Sequence, residues 1–364
     1  MQLVPNCKIQ TPKPDEISSG FLFWQDFEDI YRIVNSNLNL IRGAIMNAKQ
    51  RVIAAIEQRE PDAVPVGFSS HFPKGFESGE TAIDAHMRFF TETDADICKI
   101  MNDNRIPVMS HVRTASEWKD VRTFSLEEDF VQRQLELTKR LLEKMDPQKF
   151  SLATLHGVVA GCRHATSEGY TYDQTRELMC AHYRENKQVV KDAFRRMADA
   201  LSVYGQKFVE LGMDGVMYAS LGAEKQFFTD EEYAELVAPL EKQVLQAIRE
   251  VGGYVFMHIC KENLGMQRYA GYADYADVFN WGVYETDFSL EEGRKLFEGK
   301  TIWGGLANHS GALINGTMED IDKEVDRVIG SFGRKGFILG ADCTLPTGLD
   351  NARILRAVNA AHSK

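Results

Sequence analysis

No apolar run in the 364-residue chain reaches the roughly 18 residues needed to span a bilayer. The first residues carry no basic stretch followed by an apolar segment, so no signal peptide is expected and a cytoplasmic location is. Positive charge is in deficit: 42 Lys and Arg stand against 53 Asp and Glu, a net charge of −11. That balance argues against nucleic acid, whose phosphates need a basic surface. Cysteine is sparse as well, with only Cys7, Cys98, Cys162, Cys180, Cys260 and Cys343. Six thiols scattered over so long a chain exclude a disulfide scaffold. They are left as buried small residues, metal ligands or nucleophiles, and Cys98, Cys162 and Cys180 are read as buried. Within residues 46–364 there is no internal repeat, low-complexity tract or linker.

What is present is the alternation of a βα chain. Hydrophobic residues make up 44% and charged residues 26%, enough for a large core in one domain. Short β-rich runs fall at Val64–Ser70, Asp96–Asn102, Phe150–His156, Gly215–Ser220, Tyr254–Cys260, Asp277–Trp281, Thr301–Leu306 and Phe337–Asp342. Several are apolar throughout, as expected of strands covered on both faces. The segments between them carry helix punctuation. Ser125 to Glu128, Thr229 to Glu232 and Ser289 to Glu292 each have the capping-box pattern. Val190, Phe194, Met197, Leu201, Tyr204, Phe208 and Leu211 follow steps of four and three, a core-facing stripe that Gly212 closes. The regular pattern starts at Met46. Residues 1–45 read as an appendage, a proline-containing loop followed by a helical stretch with Trp24, Phe27 and Tyr31. The expected fold is α/β, a (β/α)8 TIM barrel over residues 46–364 with an N-terminal extension over residues 1–45.

In such barrels chemistry sits at the C-terminal ends of the strands. His258 and Cys260 close the fifth expected strand two residues apart, so they point to the same face, toward the barrel axis. Cys343 follows the eighth strand at the same rim. One His and two Cys form a known catalytic zinc set with a vacant fourth position. Two thiolates, a neutral imidazole and Zn2+ sum to zero charge. A thiol entering the fourth position would lose its proton, whereas an ether or alcohol oxygen there would become a better leaving group.

The chain resembles the uroporphyrinogen decarboxylase superfamily over residues 46–364. The resemblance lies in Arg51 to Ile56, Pro61 to Val66, Trp303-Gly304-Gly305-Leu306, Gly316 to Ile321 and Gly336 to Gly340. Within it, His258-Ile259-Cys260 with the late Cys343 is similar to the zinc motif of the methylcobamide:coenzyme M methyltransferase branch. That similarity implies His258, Cys260 and Cys343 as zinc ligands and a cobalamin-linked methyltransferase activity. Where that branch usually has Gly after the His-x-Cys, this chain has Lys261. The loop from Gly67 to Gly75 lacks the arginine that decarboxylases use to hold substrate carboxylates, which places metal-independent decarboxylation second. The base-off corrinoid pattern Asp-x-His-x-x-Gly is incomplete at Asp84-Ala85-His86, so the implied corrinoid belongs to a partner protein. The methyl donor or acceptor is a thiol or an O-methyl compound, an aryl methyl ether among them, since Phe68, Phe72, Phe227 and Phe228 lie near the rim. Asp103, His156, Tyr218, Asn280, Trp281 and Asn308 are candidate substrate contacts, and Asp342 a candidate to orient His258. A non-catalytic barrel with structural thiols is the remaining reading.

Overall fold

The expected β-rich runs become seven parallel strands in chain order around a curled sheet: β1 (Ile97–Lys99), β2 (Phe150–His156), β3 (Gly215–Ser220), β4 (Tyr254–Ile259), β5 (Val278–Trp281), β6 (Thr301–Leu306) and β7 (Phe337–Ala341). This computed structural model describes residues 46–166 and 169–364, and the expected N-terminal extension lies outside the described residues. Parallel neighbours need crossover connections, and the amphipathic helical segments between the strands supply them. Among the described residues no helix is long and apolar enough to cross a membrane.

The first expected strand, Val64–Ser70, is not one. In its place isolated parallel bridges join Val66 to Leu339, Gly67 to Ile97 and Ser70 to Leu345. The Gly67 amide donates to the Leu339 carbonyl of β7 (2.9 Å), and the Ile97 amide of β1 donates to Val66 (3.2 Å). The segment therefore touches both edges of the sheet and gives a TIM-barrel-like ring with one irregular member. Pro65, which has no N–H to give a ladder, opens that segment. Close approach tightens the seam further. A Cβ on Gly340 would lie 2.1 Å from the Trp303 indole nitrogen and 2.6 Å from the Gly67 carbonyl. The absence of a side chain lets Trp303 Nε1 donate to that carbonyl across the interior (2.9 Å).

Side-chain alternation sorts the strands into two cores. Ile97, Phe150, Leu152, Met217, Phe256, Val278, Trp303 and Ile338 fill the ring, while the opposite faces pack against the helices. In helix Lys187–Glu210 the apolar stripe is buried from Val190 through Phe208, and Gly212 follows with φ +107. Capping boxes form at Thr229 and Ser289. The one expected at Ser125 does not. A turn separates Ser125 from helix Asp129–Lys144, and its hydroxyl accepts only from the Glu127 amide (3.4 Å).

Candidate metal centre

His258 is the penultimate residue of β4, and the register aligns it with Ala219 of β3 and Asn280 of β5. Alternation turns all three into the ring. Cys260 follows the strand, its amide held by the Ser220 carbonyl (3.1 Å), and Cys343 lies two residues past β7. One ligand atom from each of His258, Cys260 and Cys343 lies within 4.8 Å of the others. Among the described residues no other trio of His, Cys, Asp or Glu is so placed.

Asn280 fixes the orientation of the imidazole. Its Nδ2 donates to the carbonyls of Trp303 (2.8 Å) and Ala341 (3.1 Å), which only the amide nitrogen can do. Oδ1 must then face His258 Nδ1, 2.5 Å away, so Nδ1 carries the proton. Nε2 faces Cys343 Sγ at 3.4 Å. An imidazole oriented by a hydrogen bond at the far nitrogen is the usual arrangement of a metal-binding histidine. A hydrogen bond from Cys260, with the adjacent His258, holds Cys343 well below the usual thiol range, and Cys260 is raised in return.

Lys261, where the related branch has glycine, adopts φ +90, the left-handed region that favours glycine. Its Nζ rests 4.4 Å from the centre of the Tyr172 ring, a cation–π contact. The residue type departs from the pattern while the backbone keeps the glycine-like turn.

The other sequence candidates divide. Asn280 bears on the centre by orienting His258, and it lines the small cavity beside it. Asn308 is buried and donates to the Thr344 carbonyl (3.3 Å), bracing the loop that carries Cys343. His156 ends β2 with its ring edge-on to His164, and burial drives it down to about 4. Asp103 is bonded to His71 Nδ1 (2.9 Å). Tyr218 and Trp281 are corrections. Each sits one residue out of phase with the inward face. The Tyr218 hydroxyl accepts the Val158 amide in the helix layer (2.9 Å), and Trp281 Nε1 donates to the Phe288 carbonyl (3.0 Å). Asp342 is a third: its carboxylate accepts the Tyr284 amide (2.7 Å) and makes no bond to His258. It directly precedes Cys343, and its contact is to the loop that follows β5.

Sequence reasoning missed Met217 and Trp303, which line a cavity of about 10 Å3 beside His258 and Cys343, room for about one water. A much wider groove of about 990 Å3 opens at the same end of the ring, between the loops that follow β3, β4 and β5; none of the three ligand candidates lines it.

Fold and centre together define a parallel α/β ring with a His–Cys–Cys cluster at the carboxyl ends of its strands. The chain matches the uroporphyrinogen decarboxylase family over residues 98–364 and belongs to that family. No curated protein compared with it matches by sequence. Among solved structures, a methyltransferase from Methanosarcina mazei is similar with a TM-score of 0.71 at 13% identity, covering 88% of this chain and 99% of its own. A B12-independent methionine synthase from Shewanella sp. W3-18-1, in complex with selenomethionine, is similar with a TM-score of 0.55 at 12% identity, covering 83% and 97%. At these identities the likeness is one of fold.

Proposed function

We propose that the chain is a zinc-dependent methyltransferase that exchanges a methyl group between a corrinoid protein and a small thiol or O-methyl compound. The observation that carries this reading is the convergence of two Sγ atoms and Nε2 of an imidazole whose far nitrogen is held by Asn280. The donor set fits zinc: soft thiolates and a neutral imidazole, with no fourth His, Cys, Asp or Glu closing the set among the described residues. Zinc bound there would supply a Lewis-acidic centre with a vacant position, able to acidify a thiol or to activate an ether oxygen.

The chain's own residues prepare that position. Asn280 fixes the ring of His258, Asn308 holds the Cys343 loop, and Met217 and Trp303 leave little room for bulk water. The Methanosarcina neighbour is a methyltransferase, which supports methyl chemistry on this fold. The corrinoid is assigned to a partner protein docking at the rim. His86, the nearest sequence match to a corrinoid ligand, is buried in helix Gly79–Thr93, with one ring nitrogen on the Ala82 carbonyl (2.7 Å) and the other accepting the Met101 amide (3.1 Å). Neither nitrogen is left for cobalt.

The test is methyl transfer by the zinc-loaded protein, from methylcobalamin to 2-mercaptoethanol and from a methyl ether to cob(I)alamin. One of these proceeds with the natural chain and is lost in Cys343→Ala. Failure of both, with release of CO2 from uroporphyrinogen, would replace this reading with decarboxylation.

A further inference from the structure

The chain carries a net charge of −11, yet three arginines converge on one groove. The groove measures about 590 Å3, within the range of small-molecule sites, and opens at the carboxyl end of the sheet. Arg105 comes from the loop after β1, Arg163 from helix Val158–Thr166 after β2, and Arg133 from helix Asp129–Lys144. Ile106, Pro107 and Val108 give the groove an apolar lip.

The carboxylates in its wall are engaged elsewhere. Glu77 accepts the Gly75 amide (3.0 Å), and Asp103 is bonded to His71 Nδ1 (2.9 Å). Asp103 stands 3.9 Å from Arg105, a loose pair. Among the described residues the side chains of Arg133 and Arg163 make no hydrogen bond and no ion pair, and Arg163 Nε is shielded from solvent without an acceptor. The contact that Arg163 does make is with the ring of Tyr172, whose centre lies 4.0 Å from the guanidinium carbon. Arg176 and Lys261 meet the same ring, each at 4.4 Å. Arg176 is neutralised by Glu224 and Asp173, whereas Arg163 has no such partner. Burial pulls Arg163 down from its ordinary value, Tyr172 acts the other way, and the charges of Arg105 and Arg176 add to the burial.

A half-buried guanidinium among like charges loses hydration that no protein acceptor replaces. Its planar fork matches the oxygens of a carboxylate or a phosphate, and an anion between such forks would supply the acceptors that are absent. We propose that this groove binds a small organic anion through phosphate or carboxylate groups, held by Arg163, Arg133 and Arg105, with its carbon skeleton against the apolar lip. The site is separate from the metal centre and does not rest on the metal reading. Tyr172 connects the two by contact, since it touches both Arg163 and the Lys261 that follows Cys260.

Calorimetry at low ionic strength tests this with three probes: isophthalate, its neutral isostere isophthalamide, and phenyl phosphate. At least one dianion binds about tenfold or more tighter than isophthalamide, and the tighter of the two names the group that the arginines prefer. Arg163→Gln and Arg133→Gln each weaken that dianion about tenfold, while Arg195→Gln, an exposed arginine outside the groove, leaves it unchanged. Arg133 is exposed, so its variant reports on binding even where Arg163→Gln lowers stability. No preference for either dianion overturns the inference, as does binding that survives both substitutions or falls equally in Arg195→Gln. The titrations are repeated after treatment with a chelator, and the affinities should not change. An affinity that disappears with the metal assigns the anion to the metal centre and overturns the groove. Protein that holds no zinc and still binds the dianion leaves this inference standing while the metal reading falls.

Discussion

Two buried polar networks lie back to back across β3 and β4, and they differ in whether their bonding capacity is filled. On the outer face Glu241 is fully buried, yet its carboxylate accepts from the hydroxyls of Ser220 (2.5 Å), Tyr233 (2.7 Å) and Tyr272 (2.9 Å), with Tyr269 on Ser220 (2.8 Å). Every member has a partner. On the inner face His258 Nε2 has only the sulfur of Cys343 beside it, Cys260 brings a second sulfur to the same place, and the Lys99 ammonium bonds only a thioether. A closed network specifies structure, since its groups gain nothing further from a ligand. An open one leaves bonding capacity that, on the proposed function, a metal and a substrate would complete.

The comparison can be broken from either side. The largest effect is expected in the closed network. Glu241→Ala strands three hydroxyls and opens a cavity, and should cost about 3 kcal/mol in urea unfolding while zinc content stays unchanged. Loss of zinc in that variant would mean that the two networks are coupled. Asn280→Leu acts on the open side. It frees the His258 ring, and zinc affinity measured by competition with a chelator should fall roughly 10- to 100-fold. An unchanged affinity would remove Asn280 from the centre.

A third effect, spread over a range of pH, is a slope in stability. Burial pushes Glu241 up to about 7 from 4.5. Between those values the native state holds a proton that the unfolded chain has released, so stability is greatest below the lower value and falls as pH rises toward 7. Glu241→Gln stays neutral throughout and should flatten that part of the curve. Parallel curves for the two proteins would show that the hydroxyl donors keep Glu241 ionised.

Much of this arrangement was legible in side-chain period. The two-residue spacing of His258 and Cys260 placed both on one face, and the apolar strands placed Cys343 at the same end. The same period held a warning: Asn280 and Trp281 are adjacent and cannot both face inward. The register of β5 on β4 chooses Asn280, and register is a tertiary property. Tyr218 falls out of phase with Ala219 in the same way. The role of Asn280 depends on two carbonyls from β6 and β7 that are distant in sequence, so no local pattern could assign it. The bridging segment at 65–70 looked like a strand by composition, while its ladder is broken into isolated bridges.

The most direct measurement is the metal itself: zinc content of the purified protein, with X-ray absorption at the zinc edge. The account predicts about one zinc per chain, held by two sulfurs near 2.3 Å and one imidazole nitrogen, with a light-atom ligand in the fourth position. In Cys343→Ala both the zinc and the second sulfur should disappear. Protein that purifies without zinc, or zinc held by a fourth protein ligand, would contradict it.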